Sequence, residues 1–89
     1  MSALRKRSEN FVATTLGEEV LIVDLDGGEL FSLSGTARSV WDAIDGSCSE
    51  AHIAELMAER HEGEATQIAA DVAALVNDLE KAALIERVA

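Results

Sequence analysis

Proline and tyrosine are absent from this sequence, and cysteine occurs once, at Cys48. A single thiol excludes an intrachain disulfide, which agrees with folding in a reducing compartment. Only 3% of the residues are aromatic, whereas 48% are hydrophobic and fifteen are alanine. The core must therefore consist mainly of small aliphatic side chains, whose burial leaves a thin margin over chain entropy. We expect a partner, or a second copy forming a homodimer, to add stability.

Long hydrophobic segments are also missing. No apolar run approaches the roughly 20 residues that span a bilayer, and no apolar segment of signal-peptide length follows the basic residues 5–7. We therefore expect a cytoplasmic protein without a membrane partner. A chain of 89 residues buries enough surface for one core and too little for two, which predicts a single domain.

Basic residues are scarce. The chain has 7 lysines and arginines against 17 acidic residues, and three of the seven are Arg5, Lys6 and Arg7. We interpret residues 1–8 as a flexible basic tail and residues 9–89 as the domain. Duplex-binding proteins typically make about 6–10 phosphate contacts through such side chains, so nucleic acid is excluded as a partner.

Catalytic and metal-binding patterns are lacking too. His52 and His61 are nine residues apart and do not have the His-Glu-x-x-His spacing. Cys48 and His52 can share a helix face, but two ligands do not complete a zinc site. An enzyme subunit would need a nucleophile clustered with a base, and neither is visible. We expect no catalytic residue, no metal and no cofactor.

The first half of the chain predicts three short strands. Residues 11–16 and 19–25 are rich in β-branched and apolar side chains, and Asp26-Gly27-Gly28 predicts a hairpin turn before a third strand at 29–33. Alternation places Phe31 and Leu33 on one face of that strand, with Leu30 and Ser32 on the other.

Three helices are predicted from Ser34 onward. Ser34 is a candidate cap for the first helix, which ends at Asp45-Gly46. Ser47 and Glu50 have capping-box spacing for the second, and the third runs from about Glu64 to Lys81. The predicted inner faces are Ala37, Val40, Trp41 and Ile44; Ile53, Leu56 and Met57; and Ile68, Val72, Leu75, Val76 and Leu79. Leu84-Ile85 is expected to pack back on the sheet. The fold class is α+β and winged-helix-like, a three-stranded antiparallel sheet followed by three helices.

Winged helices usually read DNA through one helix. Here the third helix carries Glu64, Asp71, Asp78 and Glu80 but only Lys81 as a base, so a phosphate groove would repel it. One hypothesis is therefore an acidic winged-helix module that binds or regulates proteins without binding DNA.

A second hypothesis comes from a pattern that extends over nearly the whole chain from Phe11. Its members are Leu30-Phe31-Ser32-Leu33-Ser34-Gly35-Thr36-Ala37, Val40-Trp41, Asp45-Gly46, Ile53-Ala54, Leu56, Asp71-Val72, Leu75, Leu79 and Leu84-Ile85. This pattern resembles the PqqD family. Many members carry Asn near the strand-to-helix junction, where this chain has Ser34-Gly35, so helix capping differs there.

The resemblance implies a peptide chaperone, also called a precursor-peptide recognition element. Such a module binds the leader of a ribosomally made peptide and presents it to a maturation enzyme. That enzyme is a radical-SAM protein in the pyrroloquinoline quinone pathway, or a protease or cyclase in related pathways. The family binds the leader as a strand beside the third strand, against the third helix.

The residues are compatible with that mode of binding. An unpaired strand edge is a template for an extended chain. Four or five backbone hydrogen bonds at about 1 kcal/mol each fall short of the roughly 8 kcal/mol that micromolar affinity requires. Side-chain pockets must supply the remainder. Leu30, Ala74 and Leu75 are candidates, and Asp71 and Asp78 could orient a Lys or Arg of the leader. The peptide-binding set is Glu29, Leu30, Phe31, Ser32, Leu33, Asp71, Ala74, Leu75 and Asp78. The competing interpretation makes the apolar members core residues and the two aspartates solvated surface.

Overall fold

The computed structural model describes residues 2–88. Its elements are β1 (Ala3–Lys6), a 3-10 turn (Ser8–Asn10), β2 (Phe11–Leu16), β3 (Glu19–Asp24), β4 (Leu30–Leu33), α1 (Thr36–Ala43), α2 (Glu50–Arg60), α3 (Ala65–Lys81) and β5 (Ile85–Val88). The predicted α+β class, with a three-stranded sheet followed by three helices, is confirmed. No helix in the described range is long and apolar enough to cross a membrane.

The main sheet is the antiparallel meander β2-β3-β4. The central strand β3 turns Val20 and Ile22 inward, where both are buried. The hairpin between β3 and β4 closes on the buried Asp24, whose carboxylate accepts a hydrogen bond from the Asp26 N–H at 3.0 Å. Gly28 has φ +74°, the left-handed conformation that glycine adopts without strain.

The N-terminal segment is not the flexible tail that its basic sequence predicted. β1 pairs antiparallel with β5 in a separate two-stranded sheet, and Leu4 is completely buried. Arg5 forms an ion pair with Glu86. The prediction was wrong for residues 3–6 because their pairing partner lies at the other end of the chain, where no local pattern reveals it. Met1 and Ala89, the ends of the predicted tail and domain, lie outside the described residues.

Leu84 and Ile85 belong to the same core cluster as Val20 and Ile22 of the main sheet. Leu84 and Ile85 are buried, as an apolar pair should be. However, β5 pairs with β1 and not with the three-stranded sheet.

Two helix starts also differ from prediction. α1 begins at Thr36, and Gly35 occupies the capping position with φ +58° and no side-chain cap, so Ser34 does not cap this helix. α2 is capped by Ser49, whose hydroxyl accepts from the His52 N–H at 3.2 Å. Ser47, the predicted cap, instead donates through its N–H and hydroxyl to Asp45 Oδ1 at 2.9 and 2.7 Å.

The core lies between the inner face of the sheet and the helices. Trp41 is buried, as predicted, and meets Phe11 edge to face with ring centroids 5.2 Å apart. Lys6 Nζ lies 4.8 Å from the centroid of a Trp41 ring, so a second basic residue of the N-terminal segment is also held by the fold. The predicted stripe of α3 is buried at Ile68, Val72, Val76 and Leu79. Leu75 is only partly buried.

Candidate functional site

Strand β4 has one free edge. Within residues 2–88 it pairs only with β3. The Asp24 N–H donates to the Glu29 carbonyl at 2.8 Å, and hydrogen-bonded pairs alternate along an antiparallel ladder. Phe31 therefore directs its backbone polar groups toward β3, whereas Leu30 and Ser32 direct theirs outward. The outward groups can pair with another extended chain.

A groove lies between this edge and α3, and it contains two cavities. The first, of about 390 Å³, is lined by Glu29, Phe31, Asp78, Lys81 and Ala82. The second, of about 280 Å³, is lined by Ala37, Val40, Val72 and Leu75 together with the polar residues Ser34, Thr36 and Asp71. The start of β4 thus lies beside the end of α3, and the residue after β4 lies beside the middle of α3. Strand and helix run antiparallel along the groove.

The groove brings five of the predicted site residues together. Glu29, Phe31 and Asp78 line the first cavity, and Asp71 and Leu75 line the second. Phe31 and Leu75 are both partly buried against the core, so each serves the core and the groove at once.

The other four predicted residues line neither cavity. Leu30 is 61% exposed, because alternation turns it to the outer face of the sheet, so it forms no pocket facing α3. Ser32 is likewise exposed and offers its backbone only. Leu33 is buried in the core, and Ala74 is exposed on α3 beside Leu75. Of the three residues predicted to form pockets, Leu30, Ala74 and Leu75, only Leu75 lines a cavity of the groove.

Sequence reasoning missed one wall of the second cavity. Ala37 and Val40 of α1 line it opposite Val72 of α3. The apolar stripe of α1 was recognised, but all of it was assigned to the core. The sequence feature that could have identified this wall is the small side chain of Ala37, which leaves space where two helices face each other. Lys81 and Ala82 of the first cavity were missed because they lie at the end of α3, beyond the predicted peptide-contact residues.

The charges in the groove are largely unpaired. Across residues 2–88, Glu29, Asp78 and Lys81 form no salt bridge within 4.0 Å. Asp71 differs, because its Oδ1 accepts from Gln67 Nε2 at 3.0 Å. The carboxylates of the first cavity are therefore free to pair with a ligand.

Five acidic residues elsewhere on the described surface pair with arginines. Arg87 reaches Glu80 at 2.8 Å and Glu50 at 3.0 Å. Hydrogen bonds, first to Glu80 and then to Glu50, raise the pKa of the Arg87 guanidinium. Arg87 thus links α2 and α3 through β5.

Among the residues that the structure describes, no group of three or more His, Cys, Asp or Glu side chains is arranged to hold a metal ion.

An open-edged antiparallel sheet beside a helix, with a groove between them, defines an α+β module suited to an extended peptide. Residues 19–85 match the family described as Coenzyme PQQ synthesis protein D (PqqD). The match covers more than half of the chain, and the protein belongs to this family.

Two solved structures share the fold. One is described as "TbiB1 in Complex with the TbiA(beta) Leader Peptide"; it is 17% identical, covers 92% of this chain and 94% of its own, and has a TM-score of 0.78. The other, "Lasso peptide synthetase B1 complexed with the leader peptide", is 24% identical, covers 93% of this chain and 96% of its own, and also has a TM-score of 0.78. No curated protein matches the sequence.

Proposed function

We propose that this protein binds the leader of a ribosomally made precursor peptide as an additional strand on β4, in the groove against α3. The observation that carries the proposal is the outward alignment of the Leu30 and Ser32 backbone groups beside two cavities. Membership of the PqqD family and the leader-peptide complexes of two proteins with the same fold support it.

The energetics require both the edge and the groove. Leu30 and Ser32 together offer two N–H donors and two carbonyl acceptors to an added strand. Four such bonds contribute about 4 kcal/mol in total, roughly half of what micromolar affinity needs. Side chains of the leader that enter the two cavities must contribute the other half.

The chemistry belongs to a partner enzyme in this proposal. The module holds the leader and presents the precursor to a cytoplasmic maturation enzyme, without a catalytic residue or cofactor of its own. The family match favours a pathway of the pyrroloquinoline quinone type, with a radical-SAM enzyme as partner. The likeness to lasso peptide synthetase B1 in its leader-peptide complex favours a related pathway. In such a pathway the expected partner is a protease or cyclase. With either partner enzyme, the leader would occupy the same groove of this protein.

A backbone-amide NMR titration with the leader of a candidate precursor peptide tests the proposal. We expect saturable shifts concentrated at residues 29–34 and 71–82, and none with a scrambled leader of the same composition. Shifts concentrated on β2, the other edge of the sheet, would contradict the proposed site. No shift at a large excess of leader would contradict the proposed function for that peptide.

A further inference from the structure

The two cavities of the groove differ in chemistry, and the difference specifies which leader the groove accepts. This inference rests on the proposed function, because it concerns the peptide bound at the same edge.

The first cavity is built to receive a cation. Glu29 lines it from the turn before β4 and Asp78 lines it from α3, so two carboxylates border it from different parts of the fold. Among the described residues, Lys81 is the only base lining it, which leaves the cavity with a net negative charge. Since neither carboxylate is used in a salt bridge among the described residues, both can accept from a Lys or Arg side chain of the peptide. The Phe31 side chain lines the same cavity and offers an apolar surface to the stem of such a residue.

The second cavity is built to receive an aliphatic side chain. Ala37 and Val40 line it from α1, and Val72 and Leu75 from α3. Within residues 2–88, Asp71 is the only charged residue that lines it, and that carboxylate already accepts a hydrogen bond from Gln67. A cationic side chain is therefore expected to bind more weakly in the second cavity than in the first.

The spacing between the cavities fixes the spacing in the peptide. On the sheet side, Glu29 and Phe31 line the first cavity and Ser34, just after β4, lines the second. Their centres are about four residues apart, or roughly 13 Å of extended chain. On α3 it moves from Asp78 to Asp71, seven residues or roughly 10 Å of helix. Side chains on one face of a strand are an even number of residues apart, and four residues fit these distances best.

The order of the two side chains follows from strand direction. Every pair in the main sheet is antiparallel, and an antiparallel addition to β4 continues the pattern. Counted from its N-terminus, such a peptide reaches the second cavity before the first, because it runs in the direction opposite to β4. We propose that the groove selects leaders with an aliphatic residue followed, four positions later, by Lys or Arg.

Selection from a random dodecapeptide library displayed on phage tests the proposal. Three forms of the full chain serve as bait: the wild type, the double variant Glu29→Gln/Asp78→Asn, and the control Glu18→Gln/Glu62→Gln. The control removes the same two charges from exposed residues that line neither cavity. Thermal midpoints of all three establish that the baits are folded.

We expect the wild type and the control to enrich an aliphatic residue with Lys or Arg four positions later. The double variant should retain the aliphatic preference and lose the basic one. For a selected peptide, replacing its base with Gln should weaken binding about three- to tenfold on the wild type and less than twofold on the double variant, as for a partly exposed charge pair.

Two failures are distinguishable. Selected peptides that shift the amides of β4 and α3 but lack the basic preference, or keep it on the double variant, would overturn this inference and leave the proposed function standing. No selected peptide, or peptides that bind away from β4, would contradict both.

Discussion

Replacing Ser32 with proline should weaken leader binding while leaving the fold intact. The Ser32 N–H points away from β3, so proline removes a donor that the protein itself does not use. Proline is tolerated on an edge strand where the N–H faces solvent. Loss of one backbone bond, with a peptide carbonyl left unpaired, costs about 1–3 kcal/mol, which corresponds to a roughly 5- to 150-fold higher Kd.

The matched control is Thr15→Pro on the opposite edge of the same sheet. The Leu25 N–H donates to the Asn10 carbonyl at 2.9 Å, and alternation from that pair turns the Thr15 N–H outward, away from β3. The two variants therefore make the same chemical change on two free edges. Isothermal titration calorimetry with one leader should show a loss for Ser32→Pro and wild-type affinity for Thr15→Pro. Equal affinities for the two folded variants would refute strand addition at β4.

Three further predictions concern the fold and the groove. Leu4→Ala should lower the free energy of unfolding by about 2–5 kcal/mol in urea denaturation, because Leu4 is completely buried, and a loss below about 0.5 kcal/mol would show that β1 is dispensable. Hydrogen bonds from Ser47 lower the pKa of Asp45, so its contribution to stability is present above the ordinary aspartate range and lost as pH falls through the lowered value. Thermal midpoints of Asp45→Asn and the wild type should thus differ at pH 7 and converge in acid; a constant difference would contradict this assignment. Leu75→Ala should weaken leader binding at least threefold in calorimetry, whereas Ala74→Ser, at an exposed position that lines neither cavity, should not; equal effects would remove Leu75 from the site.

Regular elements were predictable because their signals are local. The periodic apolar residues of α3 identified the buried face that Ile68, Val72, Val76 and Leu79 form. Alternation along β4 correctly separated Phe31 from Leu30. In both cases burial of one face imposes a short period on the sequence, so neighbouring residues carry the information.

Long-range pairing and open space were not predictable. β1 is a strand because β5 lies beside it, and β5 begins 82 positions after β1 does. Leu30 lies on the exposed outer face of the sheet, a placement that alternation could not reveal, because it shows which residues share a face without showing which face lines the groove. The cavity at Ala37 depends on the distance between α1 and α3, which a small side chain permits but does not determine.

The most direct test of strand addition is hydrogen exchange, followed by NMR at single amides of β4 with and without saturating leader. We expect an alternating pattern, because Phe31 and Leu33 donate to β3 in both states, whereas Leu30 and Ser32 have free outward N–H groups until the leader pairs with them. Leader should therefore slow exchange at Leu30 and Ser32 strongly and change the other two little. Unchanged exchange at Leu30 and Ser32 in the saturated complex would contradict the central claim.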